Sequence, residues 1–400
     1  MYCLFSSLLT SLSDDLFVVC GRKKVLELAS ALQELARRTG QLGAMHWLEY
    51  FLYTPSIASK PPYLVLQLRR APSGEPQAED IVAAALFFEY RLAGVRTRVF
   101  STDDAVGFRS VIAAPDERAR FAERAACALL KSGAHVVLAT HETHDQSGPA
   151  PASVPGTLLG YRQRRVGRML TLAPSYEETL ARMGRLTRRN LRYYRRHLAL
   201  RLRVEFVGDA RTQLSFAEFK ALDGSSLNPV RNKKELWLRW RNSCEADGGF
   251  LAGLRTAEGK WLSLLGGWRQ DTTTVIHWQL NSAGYEHDSV GIVIRSFFLE
   301  HEIANGARKL LMFGGTPHSI RYAFDEDTIA DLVLCRPTLR SAAMRVLARA
   351  LVRHSDRART NHLLQTLAEV PLRTRDRFSR ESAAVIQERG GPADWASRLM

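Results

Sequence analysis

Acidic side chains are in short supply here. Asp and Glu number 41 against 56 Lys and Arg, a formal net charge of +15. That balance says little about fold, but it favours anionic partners: nucleotide phosphates, CoA-like molecules, RNA or an acidic membrane face. Cysteine is also scarce. Cys3, Cys20, Cys127, Cys244 and Cys335 are odd in number, far apart and form no CxxC pair. A zinc ribbon and a thioredoxin-like site are thereby excluded, and a reduced, cytoplasmic chain with buried thiols is expected. No GxGxxG, GxSxG or HExxH occurs, and no metal site is expected. No apolar run reaches the ~18 residues of a membrane span. The first 20 residues lack a basic n-region and are interrupted by Asp14 and Asp15, so they read as an entry strand or helix rather than a signal peptide.

What is present is an ordinary globular composition, 46% hydrophobic and 24% charged over 400 residues. That length favours two domains. Residues 23–40 carry Val25, Leu26, Leu28, Leu32 and Leu35 on one helical face and end at Gly40. A shorter helix is expected at 45–53, strands at 63–68, 81–90 and 96–100, a helix at 117–131 and a strand at 135–140. The Ser-, Pro- and Ala-rich segment 142–155 is the best boundary candidate. A short strand at 168–172 and one long helix at 175–200 follow. Then come a strand at 203–207, helices at 215–222 and 233–247, strands at 249–255, 260–268 and 273–281, a helix at 289–305 and a strand at 309–313. Beyond about 339 the chain reads as polar helix. The run 253–260 has a glycine and lysine pattern close to a phosphate loop, but Trp261 stands where Ser or Thr is required, and a hairpin turn fits better. Gly266 and Gly267 are expected to ease a bend in a strand.

The junction 281–292 (NSAGYEHDSVGI) is the most informative stretch. A strand ends, a polar loop turns and a helix begins near Ser289. The amides of Val290, Gly291 and Ile292 are then expected at an open helix end, where partial positive charge suits a phosphate. The plainer reading is that Ser289 caps a core helix packed through Ile294, Phe297 and Phe298.

The stretch 282–305 resembles the acyl-CoA site of the FemAB-type GNAT acyltransferases, including the CelD-like proteins named for cellulose biosynthesis. That family carries Asp-x-x-Tyr-x-x-x-Ser-Pro-Gly here. This chain keeps Tyr285, Ser289 and Gly291, with Ser282 at the Asp position and Val290 at the Pro position. A second family element, Asp-Phe then Tyr-Lys and an aromatic, is similar to 312–324. Phe313 and Phe324 match, Arg321 replaces Lys, Met312 replaces the acid and Ile320 replaces Tyr. An Arg-rich helix opening the second domain is a third likeness.

The resemblance implies an α/β fold of two tandem GNAT-like domains, mixed central sheets flanked by helices, with a C-terminal helical extension. Residues 1–165 would be a non-catalytic GNAT-like domain, 166–340 the acyltransferase domain and 341–400 the extension. The implied reaction moves an acyl group, such as acetyl, from acyl-CoA to an amine or hydroxyl of a cell-envelope or polysaccharide precursor. Ser289, Val290, Gly291, Ile292 and Arg321 would hold the CoA. His318, Tyr322 and Tyr285 are the proton-handling candidates. Each has a plainer reading, His318 as a surface loop histidine and Tyr322 as a packed aromatic.

Arginine recurs through 182–203, with no acid between Thr179 and Val204. Arg185, Arg188, Arg189, Arg192, Arg195 and Arg196 follow helical spacing. An anionic ligand would offset their repulsion: a tRNA, a CoA phosphate or an acidic glycan or lipid surface, with Tyr193 and Tyr194 free to stack on RNA. Acidic neighbours from elsewhere in the fold would do the same. Two alternatives to the acyl-CoA enzyme therefore stand: an aminoacyl-tRNA-dependent Fem-type transferase, and an inactive GNAT-like scaffold. The Arg/Ala/Leu pattern of 340–353 suits an amphipathic helix that packs on the body or touches the inner membrane face.

Overall fold

The computed structural model describes residues 10–11, 15–41, 48–54, 57–69, 78–92, 94–102, 111–142, 156–312, 325–355 and 361–374. In the first half the elements are β1 (Thr10–Ser11), β2 (Leu16–Cys20), α1 (Arg22–Glu27), α2 (Ala29–Arg38), α3 (Leu48–Tyr53), β3 (Pro62–Leu68) and β4 (Ile81–Leu92). They continue with β5 (Val95–Ser101), β6 (Val111–Ile112), α4 (Arg118–Lys131), β7 (Val136–Glu142) and β8 (Leu158–Thr171). The second half brings α5 (Tyr176–Ala181), α6 (Arg185–Leu202), β9 (Glu205–Val207), α7 (Phe216–Gly224), α8 (Lys233–Glu245), β10 (Gly249–Arg255), β11 (Trp261–Gln270) and β12 (Thr273–Asn281). It closes with α9 (Val290–Ala304), β13 (Lys309–Met312), β14 (Asp325–Cys335), α10 (Leu339–His354), α11 (His362–Glu369) and β15 (Arg373–Thr374).

Each half runs strand, helices, three antiparallel strands, helix, strand, strand; the sequence reading anticipates this order as far as β13, without the closing strand β14. The halves do not form separate sheets. One continuous sheet runs β1-β2-β3-β4-β5-β7-β14-β8-β13-β12-β11-β10-β9. Each half contains one parallel pair, β5–β7 and β12–β13.

The last strands are exchanged. β8 leaves the first half and pairs with β13 of the second, while β14 leaves the second half and pairs with β7 of the first. β8 and β14 then pair antiparallel along their length at the centre. Position 165 lies inside β8.

Helices cover both faces. In β7 and β14, Val137, Ala139, Leu332 and Leu334 face the cluster of α4, whereas Val136, Leu138, Val333 and Cys335 face the cluster of α10 and α11. This alternation is the period-2 geometry of a strand buried on both sides. In the second half α6 and α9 pack on one side through Leu191, Leu198, Ile294 and Phe298, and α7 and α8 on the other through Phe219 and Leu238.

Candidate active site at the start of helix α9

The site lies at the end of strand β12, where helix α9 begins. Among the described residues β12 and β13 pair in parallel from Thr273–Lys309 to Ile276–Met312, and β12 continues to Asn281. On its other side β12 slips register against β11: Gly266 faces Trp278 and Gly267 faces Ile276, so His277 is one residue too many. This is a β-bulge, and it bends β12 just past Ile276. Gly267 is required there, because a Cβ would lie 1.8 Å from the Val275 carbonyl oxygen. The bulge sets the His277 ring 4.8 Å from Tyr50 and 5.6 Å from Trp268.

Helix α9 starts beside the end of β12. Its N-cap, Ser289, is left-handed (φ 53°, ψ 40°), and the serine side chain makes no cap bond. The Ser289 carbonyl accepts from the amides of Ile292 (2.8 Å) and Val293 (3.1 Å). Ile292 is therefore not the open donor expected from the sequence: the αL turn at Ser289 aims a carbonyl at it. The amides of Val290 and Gly291 have no protein acceptor among the described residues.

Gly291 permits close packing of helix on strand. A Cβ there would lie 2.7 Å from Gln279 Nε2 and 2.9 Å from Asn281 Nδ2. Gln279 Nε2 donates to the Gly291 carbonyl (3.1 Å) and to Asn281 Oδ1 (2.7 Å), Ser263 Oγ donates to Asn281 Oδ1 (2.8 Å) and Arg295 Nε donates to Gln279 Oε1 (2.7 Å). Sequence reasoning missed this network. Its signal was the polar pair Gln279 and Asn281, two apart on the end of the strand that meets the helix.

Before the helix, Asp288 is almost fully buried, with Oδ1 2.9 Å from Arg201 and 4.0 Å from His197 of α6. Tyr285 lies against the same core, and its hydroxyl accepts from Lys260 Nζ at 3.0 Å. Further along α9, Glu302 is buried and clamped by Arg269 (2.6 Å) and Thr274 Oγ1 (2.5 Å). On the opposite face Tyr50 of α3 meets Arg239 (3.3 Å) and Glu235 (3.5 Å) of α8, and burial pushes the Tyr50 phenol up from its ordinary pKa.

His318, Arg321 and Tyr322 lie outside the described residues. Met312, at the family's acidic position, is buried in the apolar cluster under α9. Among the described residues no group of His, Cys, Asp and Glu could hold a metal ion. No helix among them is long and apolar enough to cross a membrane.

The arginine helix divides in two. Arg188 donates to the Ala181 carbonyl (2.7 Å), Arg192 pairs with Glu177, and Arg195 pairs with Glu300 while lying 4.0 Å over the Phe297 ring. Those three are held by the fold, so the six-residue stripe read from the sequence shrinks. Arg185, Arg189 and Arg196 are exposed beside Tyr193, itself 58% exposed.

Comparison with known proteins adds likeness of shape. No family model and no curated protein matches this chain. Among solved structures, the C-terminal domain (DUF2156) of a putative lysylphosphatidylglycerol synthetase from Agrobacterium fabrum is similar at 12% identity and TM-score 0.48, covering 82% of this chain and 96% of that one. The crystal structure of FemX is similar at 10% identity and TM-score 0.41, covering 70% of this chain and 90% of that one. A tandem GNAT protein from the clavulanic acid biosynthesis pathway is similar at 12% identity and TM-score 0.39, covering 81% and 100%.

Proposed function

We propose that this chain is an acyltransferase using acyl-CoA, with its chemistry in the C-terminal half. The supporting observation is the pair of amides at Val290 and Gly291, which have no protein acceptor among the described residues, at a helix start packed closely on β12 through Gly291. A thioester arm would lie along β12 from His277 to Asn281, with the CoA pyrophosphate on those two amides and Ser289. An acceptor amine or hydroxyl would attack the thioester carbonyl, forming the new C–N or C–O bond as the C–S bond breaks. The attacking group's proton would pass to a base and one would return to the CoA sulfur; Tyr285, His318 and Tyr322 are the candidates. Backbone donors would stabilise the oxyanion, and positioning would supply much of the rate. Arg321 would add a phosphate contact. The acceptor class we favour is an envelope or polysaccharide precursor, handled in the cytoplasm or at the inner membrane face.

Calorimetry with acetyl-CoA tests the site. Ser289→Asp is the informative variant, since aspartate tolerates the left-handed conformation and caps helices well. It should leave the melting temperature unchanged or raised, while a carboxylate beside the pyrophosphate weakens CoA binding by about 10- to 100-fold. Unchanged affinity in that folded variant removes CoA from this position.

A second reading, transfer from an aminoacyl-tRNA, is favoured by Arg185, Arg189 and Arg196. Replacing all three by glutamine should lower tRNA affinity and flatten its salt dependence by about three phosphate contacts. Indifference of tRNA binding to that change disposes of this reading. The buried Met312 favours the third, an inactive scaffold; that reading predicts CoA binding without turnover of any acceptor.

A further inference from the structure

We propose that the outer face of α10 docks on an anionic lipid surface. Helix α10 is 16 residues long, about 24 Å at 1.5 Å per residue, and only Ser341 and Ala348 are buried along it. It is firmly seated. Thr338 caps it through the Ser341 amide (3.2 Å), and Ala348 and Met344 join the apolar cluster above β7 and β14. Arg345 donates to the carbonyls of Leu367 (3.1 Å) and Val370 (2.8 Å), and Arg349 to that of Ala368 (3.2 Å). The helix thus lies down on its neighbour α11 and cannot turn its other side inward.

That other side is apolar. Leu339 is 91% exposed, Val346 64% and Leu347 44%. Leu339, Ala343, Val346 and Ala350 follow i, i+4, i+7 and i+11, so they form one ridge along the outermost line of the helix. Arg340 flanks it on one side and Arg353 on the other. No acidic residue stands between Asp331 and Asp356. A helix kept in water carries charge along its crest and apolar residues beneath. Here the crest is apolar and arginines line its margins, the distribution of a helix that sinks its ridge among acyl chains while its guanidinium groups reach back to phosphates.

Charge decides against the other occupants. A second copy packed on this face by two-fold symmetry would set Arg340 and Arg353 against their own images. RNA would satisfy the arginines but leave Leu339 and Val346 in water, and the ridge offers no aromatic ring on which a base could stack.

The test is sedimentation of the full chain with phosphatidylcholine vesicles, with and without phosphatidylserine. Binding should require the anionic lipid and weaken as salt rises. Leu339→Glu with Val346→Glu should reduce it at least about tenfold, with the melting temperature unchanged because both side chains point to solvent. Should that pair unfold the helix, Arg340→Gln with Arg353→Gln should remove the salt-sensitive part of the binding instead. Replacing Arg185, Arg189 and Arg196 of α6 should leave vesicle binding intact. The proposal is overturned by absence of vesicle binding, by equal binding to neutral vesicles, or by loss through the α6 arginines alone. It is equally overturned if the ridge variants abolish a self-association seen in velocity sedimentation and leave vesicle binding as it was.

Discussion

Among the described residues the parallel pair β12–β13 of the C-terminal half runs to Ile276 and Met312, and α9 begins beside the end of β12 with two amides that meet no protein acceptor. In the N-terminal half the matching pair β5–β7 is laced together past its last rung. The Thr102 amide donates to the Leu138 carbonyl (3.0 Å), the Thr140 amide to Thr102 Oγ1 (2.7 Å), and Thr140 Oγ1 to Asp331 (3.0 Å). Helix α4 then opens with Arg118, which is 3% exposed and lies against Gln41. Burial lowers the pKa of that guanidinium. A cation sits where the helix dipole favours an anion. The start of α4 therefore holds a buried cation and that of α9 two amides without an acceptor among the described residues, and this contrast is the physical ground for proposing that only the C-terminal half binds an acyl donor.

The bulges differ as well, and the difference makes the largest prediction. The β11–β12 bulge depends on Gly267, packed against a backbone carbonyl. Gly267→Ala should cost about 3 kcal/mol, because a strand backbone must move rather than a side-chain tip. A thermal melt is the check; a variant as stable as the parent would mean that the bulge is not fixed by this glycine.

Attachment of the two helices is the next contrast. α4 rests on Phe121 and a run of buried alanines, Ala122, Ala125, Ala126 and Ala128. α9 adds the Arg269–Glu302–Thr274 clamp. Arg269→Ala leaves a buried carboxylate without its cation, and since Arg269 is about one-third exposed the expected loss is about 2 kcal/mol rather than the full figure for a buried pair. Hydrogen exchange should show α9 opening more readily and α4 unchanged. Equal loosening of both helices would mean that the halves do not respond separately.

Much of this architecture was legible in the sequence. Apolar periodicity marks α2, α4 and α9, and Gly40, Gly133 and Gly306 end helices or turns with positive φ as their positions suggest. The helix read at 23–40 breaks at Leu28 into α1 and α2, and that read at 175–200 breaks at Met183 and Gly184 into α5 and α6. The first break has neither proline nor glycine to announce it, whereas Gly184 marks the second. β8 begins ten residues before the short strand read at 168–172, because Arg162, Arg164 and Arg165 hide any apolar alternation. β14 was not read at all, although Ile329, Leu332, Val333 and Leu334 are apolar. The exchange of β8 and β14 depends on partners more than a hundred residues apart, and no local pattern encodes which strand lies beside which. At the site, Ser289 and Gly291 are readable from their spacing. The left-handed turn at Ser289 and the plug at Arg118 are not, since each follows from tertiary packing.

The smallest effect expected is a gain. The N-terminal bulge has no glycine at its sharpest point: the β4–β5 register shifts between Glu89 and Arg91, and opposite it Arg98 takes φ 58°. A side chain in that conformation costs about 1–2 kcal/mol. The Arg98 carbonyl also accepts from the His135 amide (2.9 Å), so the turn is held from outside. Arg98→Gly should remove the strain and return about half of it as extra freedom in the unfolded chain. The net gain is about 0.5 kcal/mol, a rise of a degree or two in melting temperature for a chain of this size. Arg98 also adds positive charge near His135, whose pKa is lowered by burial and then by Arg340, Arg336 and Arg98. A depressed base favours the native state above its unfolded pKa near 6.5 and penalises it as pH falls below that value. The glycine variant should therefore gain slightly more at pH 5.5 than at pH 8. A gain independent of pH would assign the whole effect to the backbone, and a loss at both would show that the Arg98 side chain holds the N-terminal bulge as Gly267 holds the other.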